Sequence, residues 1–507
     1  MGEMLELVIL PLYYLVLGVL ALYGVHRAYL VFLYLRSRRR PRREPAAPEV
    51  WPKVTVQLPL YNEMYVARRL IDAVCRLDYP AEKLEIQVLD DSTDETAEIV
   101  AETVARHRRN GLTVHHIRRE DRVGFKAGAL EVGLRRSDAE LVAVFDADFV
   151  PTPDFLRRTV PHFRDPRVGM VQARWEHLNR NYSLLTRIQA ILLDGHFWIE
   201  HTARERSGCF FNFNGTAGIW RRCTIEEAGG WQHDTLTEDL DLSYRAQLAG
   251  WKFLYLPELA APSELPVDIH GFKGQQHRWA KGSVQTGRKL LARVLRARLP
   301  WRVKAEALVH LTNNGSYLLM VFLSLLVFPA MYVRRGEAPN LLLWVDLLLF
   351  FFATGSVLLF YVVSQRARGA GWWSGIKYLP ALMGLGIGLS LSNARAVISG
   401  LLHTGGTFHR TPKYNIEGDA GEQKENWTVK KYRAGKNFTF ILEGLFALYL
   451  AVCSTLAVAL EMWWSLPFLY LFLYGYTYMF TLSVLLGSRG RTLVLSASTP
   501  STPPTAP

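Results

Sequence analysis

The sequence predicts an α/β domain with a mostly parallel sheet inserted between transmembrane α-helices. Two observations carry this. Apolar runs of bilayer-crossing length flank residues 51–287 on both sides. Between those runs, short β-rich stretches alternate with amphipathic helical ones, the pattern of a parallel sheet with helical crossovers. The composition fits such a mixture, because 50% hydrophobic residues in a 507-residue chain exceed what a purely soluble enzyme of this size needs.

Residues 1–35 read as an N-terminal transmembrane helix, apolar from Leu5 to Leu35. Acidic residues precede its core and no basic segment does, so an uncleaved anchor is expected rather than a signal peptide. The basic linker 36–50 follows, with Arg36, Arg38, Arg39, Arg40, Arg42 and Arg43. Positive charge of this kind stays on the cytoplasmic side and holds the following domain there. The net charge of +13 comes partly from this cluster, which argues for a membrane and against a nucleic-acid partner. The four cysteines lack a CxxC pairing, so neither disulfides nor a zinc site are expected.

Residues 51–287 form the expected catalytic domain. Val54 to Leu58 leads into Pro59-Leu60-Tyr61-Asn62-Glu63, Leu84 to Leu89 into Asp90-Asp91, and Leu141 to Phe145 into Asp146-Ala147-Asp148. Open parallel sheets bind ligands beyond the carboxyl ends of their strands, so these motifs aim at one crevice. Asp146 and Asp148 at a strand exit suit a divalent cation and a ribose hydroxyl or outer-shell water. Mg²⁺ or Mn²⁺ is the expected cofactor, because both take oxygen ligands and bridge to phosphates. Asp91 precedes a segment with helix-capping residues, and capping is compatible with contact to a nucleotide. Gly124-Phe125-Lys126-Ala127-Gly128 joins a cation to glycines, as a diphosphate site requires, but its spacing is not that of a P-loop. Gln275, Arg278 and Trp279 combine an amide, a guanidinium able to neutralise a phosphate and an indole on which a sugar can stack.

Residues 288–307 look like a basic amphipathic helix on the inner membrane face, kinked at Pro300. The membrane region 308–487 follows. Its stretch 378–402 is broken by Pro380, Gly384, Gly386 and Gly388 and is expected to be interfacial or re-entrant, which keeps the basic loop 404–437 on the cytoplasmic side. Five spans result. Residues 488–507, ending in Ser, Thr and Pro, read as a disordered tail.

Six motifs in fixed order carry a family resemblance: Gln87 to Asp94, Lys126 to Leu130, Phe145 to Phe149, Gln172 to Trp175, Phe213 to Gly218, and Gln275-Gln276-His277-Arg278-Trp279. With them, residues 58–288 resemble the GT-A core of the inverting family 2 glycosyltransferases, above all the plant cellulose-synthase-like A glucomannan synthases and, more distantly, bacterial cellulose synthase catalytic subunits. The resemblance implies that Tyr61 and Glu63 border the nucleotide, Asp91 and Asp146 contact base and ribose, Lys126 lies near the diphosphate and Asp148 holds the metal. Gln275 and Arg278 join the donor site. Asp239 is then the general base, a role inversion requires because a carboxylate must take the proton of the acceptor hydroxyl. Trp279, Trp175, Asn214 and Gly215 are expected at the acceptor. Phe408, Thr411 and Lys413 match a gating loop that covers the donor, with Arg410 where that loop has an apolar residue.

The resemblance implies a multi-pass enzyme of the inner or plasma membrane with a cytoplasmic catalytic domain. Its expected activity is processive synthesis of a β-linked mannan, glucomannan or glucan from a UDP- or GDP-sugar, with translocation of the product. The alternative is transfer of a single sugar to a diacylglycerol- or ceramide-like lipid.

Overall fold

The computed structural model describes residues 2–38, 45–335, 341–408, 410–418, 427–433, 435 and 438–496. Seven strands lie between the first membrane helix and the rest: β1 (Val54–Leu60), β2 (Leu84–Asp90), β3 (Val114–Arg118), β4 (Leu141–Val144), β5 (Val168–His177), β6 (Gly218–Arg221) and β7 (Lys252–Ser263). They form one sheet in the order β3-β2-β1-β4-β6-β5-β7. All pairings are parallel except those of β6, which runs antiparallel to both β4 and β5.

Strand alternation explains why this sheet is covered on both faces. In β4, Leu141 and Ala143 enter one buried cluster with Val56, Leu58 and Ile86. Val142 and Val144 enter another, with Leu89, Met170 and Trp220.

Register then fixes the site. Leu60 pairs with Asp90, and Gln57 with Val144, so the residues following β1, β2 and β4 emerge along one edge. Antiparallel β6 begins at that edge too, since Gly218 pairs with Val144. The segment 213–217 is thereby brought over the ends of the parallel strands.

The helix Ile269–Arg296 leaves the domain, and its first turn is capped by Asp268, which accepts from His270 N at 3.2 Å and Gly271 N at 3.0 Å. The stretch 288–307 is therefore not one kinked element. It is divided between the end of this helix and a second helix, Trp301–Thr312, with the break before Pro300 and Trp301. Its apolar stripe also faces protein: Leu290 and Val294 are buried with Leu240, Tyr244, Val303 and Ala307. Packing against the helix Glu238–Leu248 takes part of the apolar surface, while Leu295 and Trp301 remain exposed.

Among the described residues, five helices are long and apolar enough to cross a membrane: Leu7–Ser37, Gly315–Val333, Leu342–Ala367, Thr439–Ala459 and Trp463–Leu485. The pair Leu379–Gly388 and Ser390–Leu402 is bent by 41° and makes a sixth only if counted as one span. The last helix, Leu466–Ser496, continues past Ser488, where composition predicts disorder; Leu493, Val494 and Leu495 extend its apolar sequence. The rest of that tail lies outside the described residues.

Candidate active site

Every residue singled out above for a site role lines a single cavity at the carboxyl edge of the sheet. Tyr61 and Glu63 follow β1, Asp91 follows β2, and Asp146 and Asp148 follow β4. Asp146 N donates to Thr216 Oγ1 at 2.8 Å, which ties the 213–217 segment to the acidic pair. Gln172 on β5 holds the same segment: its Oε1 accepts from Asn214 N at 3.0 Å and its amide donates to Thr216 O at 3.1 Å.

Lys126 sits in the first turn of the helix Phe125–Arg135. Its ammonium contacts Asp146 Oδ1 at 2.5 Å, Gly215 O at 2.9 Å and Glu238 Oε1 at 4.0 Å. Burial works against that charge, but Asp146 and Glu238 outweigh it and raise the Lys126 pKa. Asp146 itself is raised by burial, only partly offset by Lys126. Gly215 has φ 78°, and a Cβ there would lie 3.0 Å from Asp239 Oδ2 and 3.3 Å from Lys126 Nζ. Any side chain at this position would crowd the two groups it separates.

Asp239 occupies the first turn of the helix Glu238–Leu248, and Leu240 N donates to its Oδ1 at 2.8 Å. Burial, with the neighbouring Glu238 carboxylate adding to it, pushes its pKa up to about 7. That value suits a group that must accept a proton near neutrality. Gln275, Arg278 and Trp279 share one face of the helix Ile269–Arg296, as i, i+3 and i+4 spacing requires, and this face closes the cavity. The approach is tight. A Cβ on Gly282 would stand 2.6 Å from Thr237 Cγ2, so a glycine lets the helix lie against the turn before Asp239.

Trp279 and Trp175 make a tilted aromatic pair with centroids 6.5 Å apart, and Trp175 also packs on Phe149 and Phe197. Phe408 covers the Arg278 guanidinium, whose carbon lies 4.7 Å from the ring centroid. From the same loop, Lys413 Nζ reaches Asp148 Oδ2 at 2.6 Å and Glu264 O at 2.8 Å, while Thr411 forms part of the wall.

Three lining groups lay beyond sequence reasoning. Arg122 stacks on Tyr61 at 3.2 Å from the ring centroid. Glu264, just past β7, accepts from Tyr414 N at 2.7 Å and so anchors the loop that carries Lys413. Arg410, noted only as a departure from the gating-loop pattern, packs on Tyr432 at 3.8 Å and lowers the Glu63 pKa against a dominant burial effect, which leaves Glu63 at about 7. Arg122 and Glu264 belong to no motif whose spacing would have marked them, and Arg410 stands where the gating-loop pattern expects an apolar residue.

The domain that carries most of this site matches a known family. Residues 52–282 match the model described as glycosyltransferase like family 2. This stretch of the chain is a family 2 glycosyltransferase domain. Over 251 residues it is 48% identical to glucomannan 4-beta-mannosyltransferase 2 of Arabidopsis thaliana, which is 48% of this chain and 47% of the relative. Glucomannan 4-beta-mannosyltransferase 1 of Oryza sativa subsp. japonica is 44% identical over 273 residues, 52% of each chain. The chain thus spans about half the length of the curated relatives it matches. A mannosyltransferase from Pyrobaculum calidifontis, solved in complex with GDP-Man and Mn²⁺, has a TM-score of 0.50 at 22% identity, covering 76% of this chain and 99% of that one. The family 2 domain therefore has a GT-A fold, with a mixed, mostly parallel sheet.

The donor set around Asp148 fits a hard divalent ion. Among the described residues no three His, Cys, Asp or Glu side chains converge as a complete metal cage. A cation held by one or two carboxylates with substrate phosphates completing its shell needs none. Asp148 Oδ2 already holds a cation, the Lys413 ammonium, with Asp146 and Glu63 lining the same cavity.

Proposed function

We propose that the chain is a processive, inverting β-glycosyltransferase of the inner or plasma membrane. It builds a β-1,4-linked mannan or glucomannan from a nucleotide-diphospho-sugar and passes the polymer across the bilayer. The observation that carries this reading is Asp239: a half-buried carboxylate whose pKa is pushed up to about 7, in one cavity with the acidic Asp146-Ala147-Asp148 and the Trp279 indole. Identity to glucomannan 4-beta-mannosyltransferases over the family 2 domain, together with the GDP-Man carried by the solved neighbour, favours GDP-mannose as donor.

In this mechanism Tyr61, Arg122 and Asp91 line the nucleotide end, and Asp146 takes a ribose hydroxyl. Arg278 and Lys126 lie at the diphosphate. Asp148 holds Mg²⁺ or Mn²⁺, which when bound offsets phosphate charge as the nucleotide departs. The acceptor sugar stacks on Trp279 between Trp175 and Asn214, with its hydroxyl toward Asp239. Asp239 removes that proton as the oxygen attacks the anomeric carbon from the face opposite the nucleotide, which inverts the configuration. Phe408, Thr411 and Lys413 cover the donor and exclude water.

The test is to supply purified protein in lipid nanodiscs with labelled GDP-mannose and UDP-glucose in separate reactions, and to size and digest each product. A long product from GDP-mannose, cut by an endo-β-1,4-mannanase, is expected. A lipid carrying one sugar, from either donor, would replace the polymer reading with glycolipid synthesis.

A further inference from the structure

We propose that a second cavity, at the arginine-rich end of the first membrane helix, binds the phosphate headgroup of an anionic phospholipid. This cavity has a volume of about 360 Å³ and shares no lining residue with the active site. Four arginines line it, Arg38, Arg157, Arg158 and Arg206, against one carboxylate, Glu258. Planar guanidinium groups recognise phosphate through paired hydrogen bonds.

Arg206 pairs with Glu205 at 3.5 Å, but the carboxylates that pair Arg157 and Arg158 hold them loosely. Arg157 meets Asp78 at 3.1 Å and Arg158 meets Asp154 at 3.7 Å, and all four side chains are exposed, where such pairs contribute little. Arg38 has no carboxylate partner among the described residues. Trp198 and Thr202 complete the wall beside the arginines.

The location selects a lipid over a soluble phosphate. The apolar helix ends at Ser37, and Tyr34 in its last turn and Arg38 just past its end form one wall. The cavity therefore opens at headgroup depth. On the same helix Phe32 and Leu35 are exposed, which gives acyl chains an apolar surface leading to the arginines.

The full chain in phosphatidylcholine nanodiscs is titrated with dioctanoyl phosphatidic acid and followed by native mass spectrometry, with inorganic phosphate, glycerol 3-phosphate and dioctanoyl phosphatidylcholine as separate arms. One saturable copy of phosphatidic acid is expected, with affinity reduced at least tenfold by Arg38→Ser/Arg158→Ser. Equal affinity in wild type and this variant would overturn the site, as would equal uptake of phosphatidylcholine. Inorganic phosphate or glycerol 3-phosphate binding as tightly as the lipid would overturn the lipid as occupant. None of these readouts depends on sugar transfer.

Discussion

At Asp239 the raised pKa follows from burial beside Glu238, and it gives the reaction a pH signature. Below about 7 the carboxyl is protonated and cannot accept a proton, so kcat/KM should climb with pH and level off above that value. Glu63 is raised into the same window and faces the same cavity, so a control is needed. Glu63→Gln should keep the acidic limb, whereas Asp239→Asn should lower the rate by about 10² to 10⁴ and flatten it, with donor binding retained. Loss of donor affinity in proportion to rate would make Asp239 a binding residue instead. A second residue-scale expectation concerns Asp148, whose Oδ2 is held by Lys413. Removing that ammonium frees the oxygen for a metal ion. With GDP present, Lys413→Ala should bind Mn²⁺ about tenfold more tightly, a 1.4 kcal/mol change, and Asp148→Ala more weakly, both read as free Mn²⁺ by electron paramagnetic resonance. Unchanged affinity in both variants would remove Asp148 as a ligand. Asp148 was legible in the sequence because it follows an apolar strand, whereas Asp239 follows a loop and was reached only through the family resemblance. The Lys413 pairing was not legible, since 265 residues separate its partners and only the folded chain joins them.

Among the elements, the helix Ile269–Arg296 links two environments. Gln275, Arg278 and Trp279 face the active site, while Lys273 two residues earlier is fully buried against the membrane helices, 2.6 Å from Glu443 and 2.6 Å from Ser483. Glu443 lies in the span Thr439–Ala459, and Thr439 Oγ1 donates to it at 3.3 Å. A buried ion pair contributes little net stability, but breaking one partner strands a charge. Lys273→Met should therefore destabilise the protein by about 3 to 5 kcal/mol, measured by unfolding in detergent, and Lys273→Met/Glu443→Leu should recover most of it. Failure of the double variant to recover would mean that the pair is held for position rather than by charge. The alternation of β-rich and helical stretches made the sheet and its parallel half readable in advance. The division of 288–307 was not readable, because the same apolar period serves a bilayer or a protein surface. Only the proximity of Tyr244 and Leu240 decides for protein.

For the whole molecule, the active-site cavity lies between the sheet edge and a helix that packs directly on the membrane region. The Ile269–Arg296 helix meets Ser390–Leu402, with His277 Nδ1 3.2 Å from Ser392 O and Arg288 donating to Gly400 O at 3.0 Å. A Cβ on Gly400 would stand 2.8 Å from Lys281 O, so the bent segment lies as close as backbones allow. Trp279 is two residues from His277, about 200° around this helix, so its indole faces the active-site cavity while the opposite side packs on Ser390–Leu402. Under the proposed function, a polymer growing by one sugar per cycle crosses only if it is led past this helix into the membrane helices. In proteoliposomes with the catalytic domain outward and GDP-mannose added outside, labelled polymer should accumulate in the lumen and resist an external endo-β-1,4-mannanase until detergent is added. Polymer digested as fast before detergent as after would mean that the chain is released on the side where it is made, and the membrane helices would then anchor the enzyme without conducting its product.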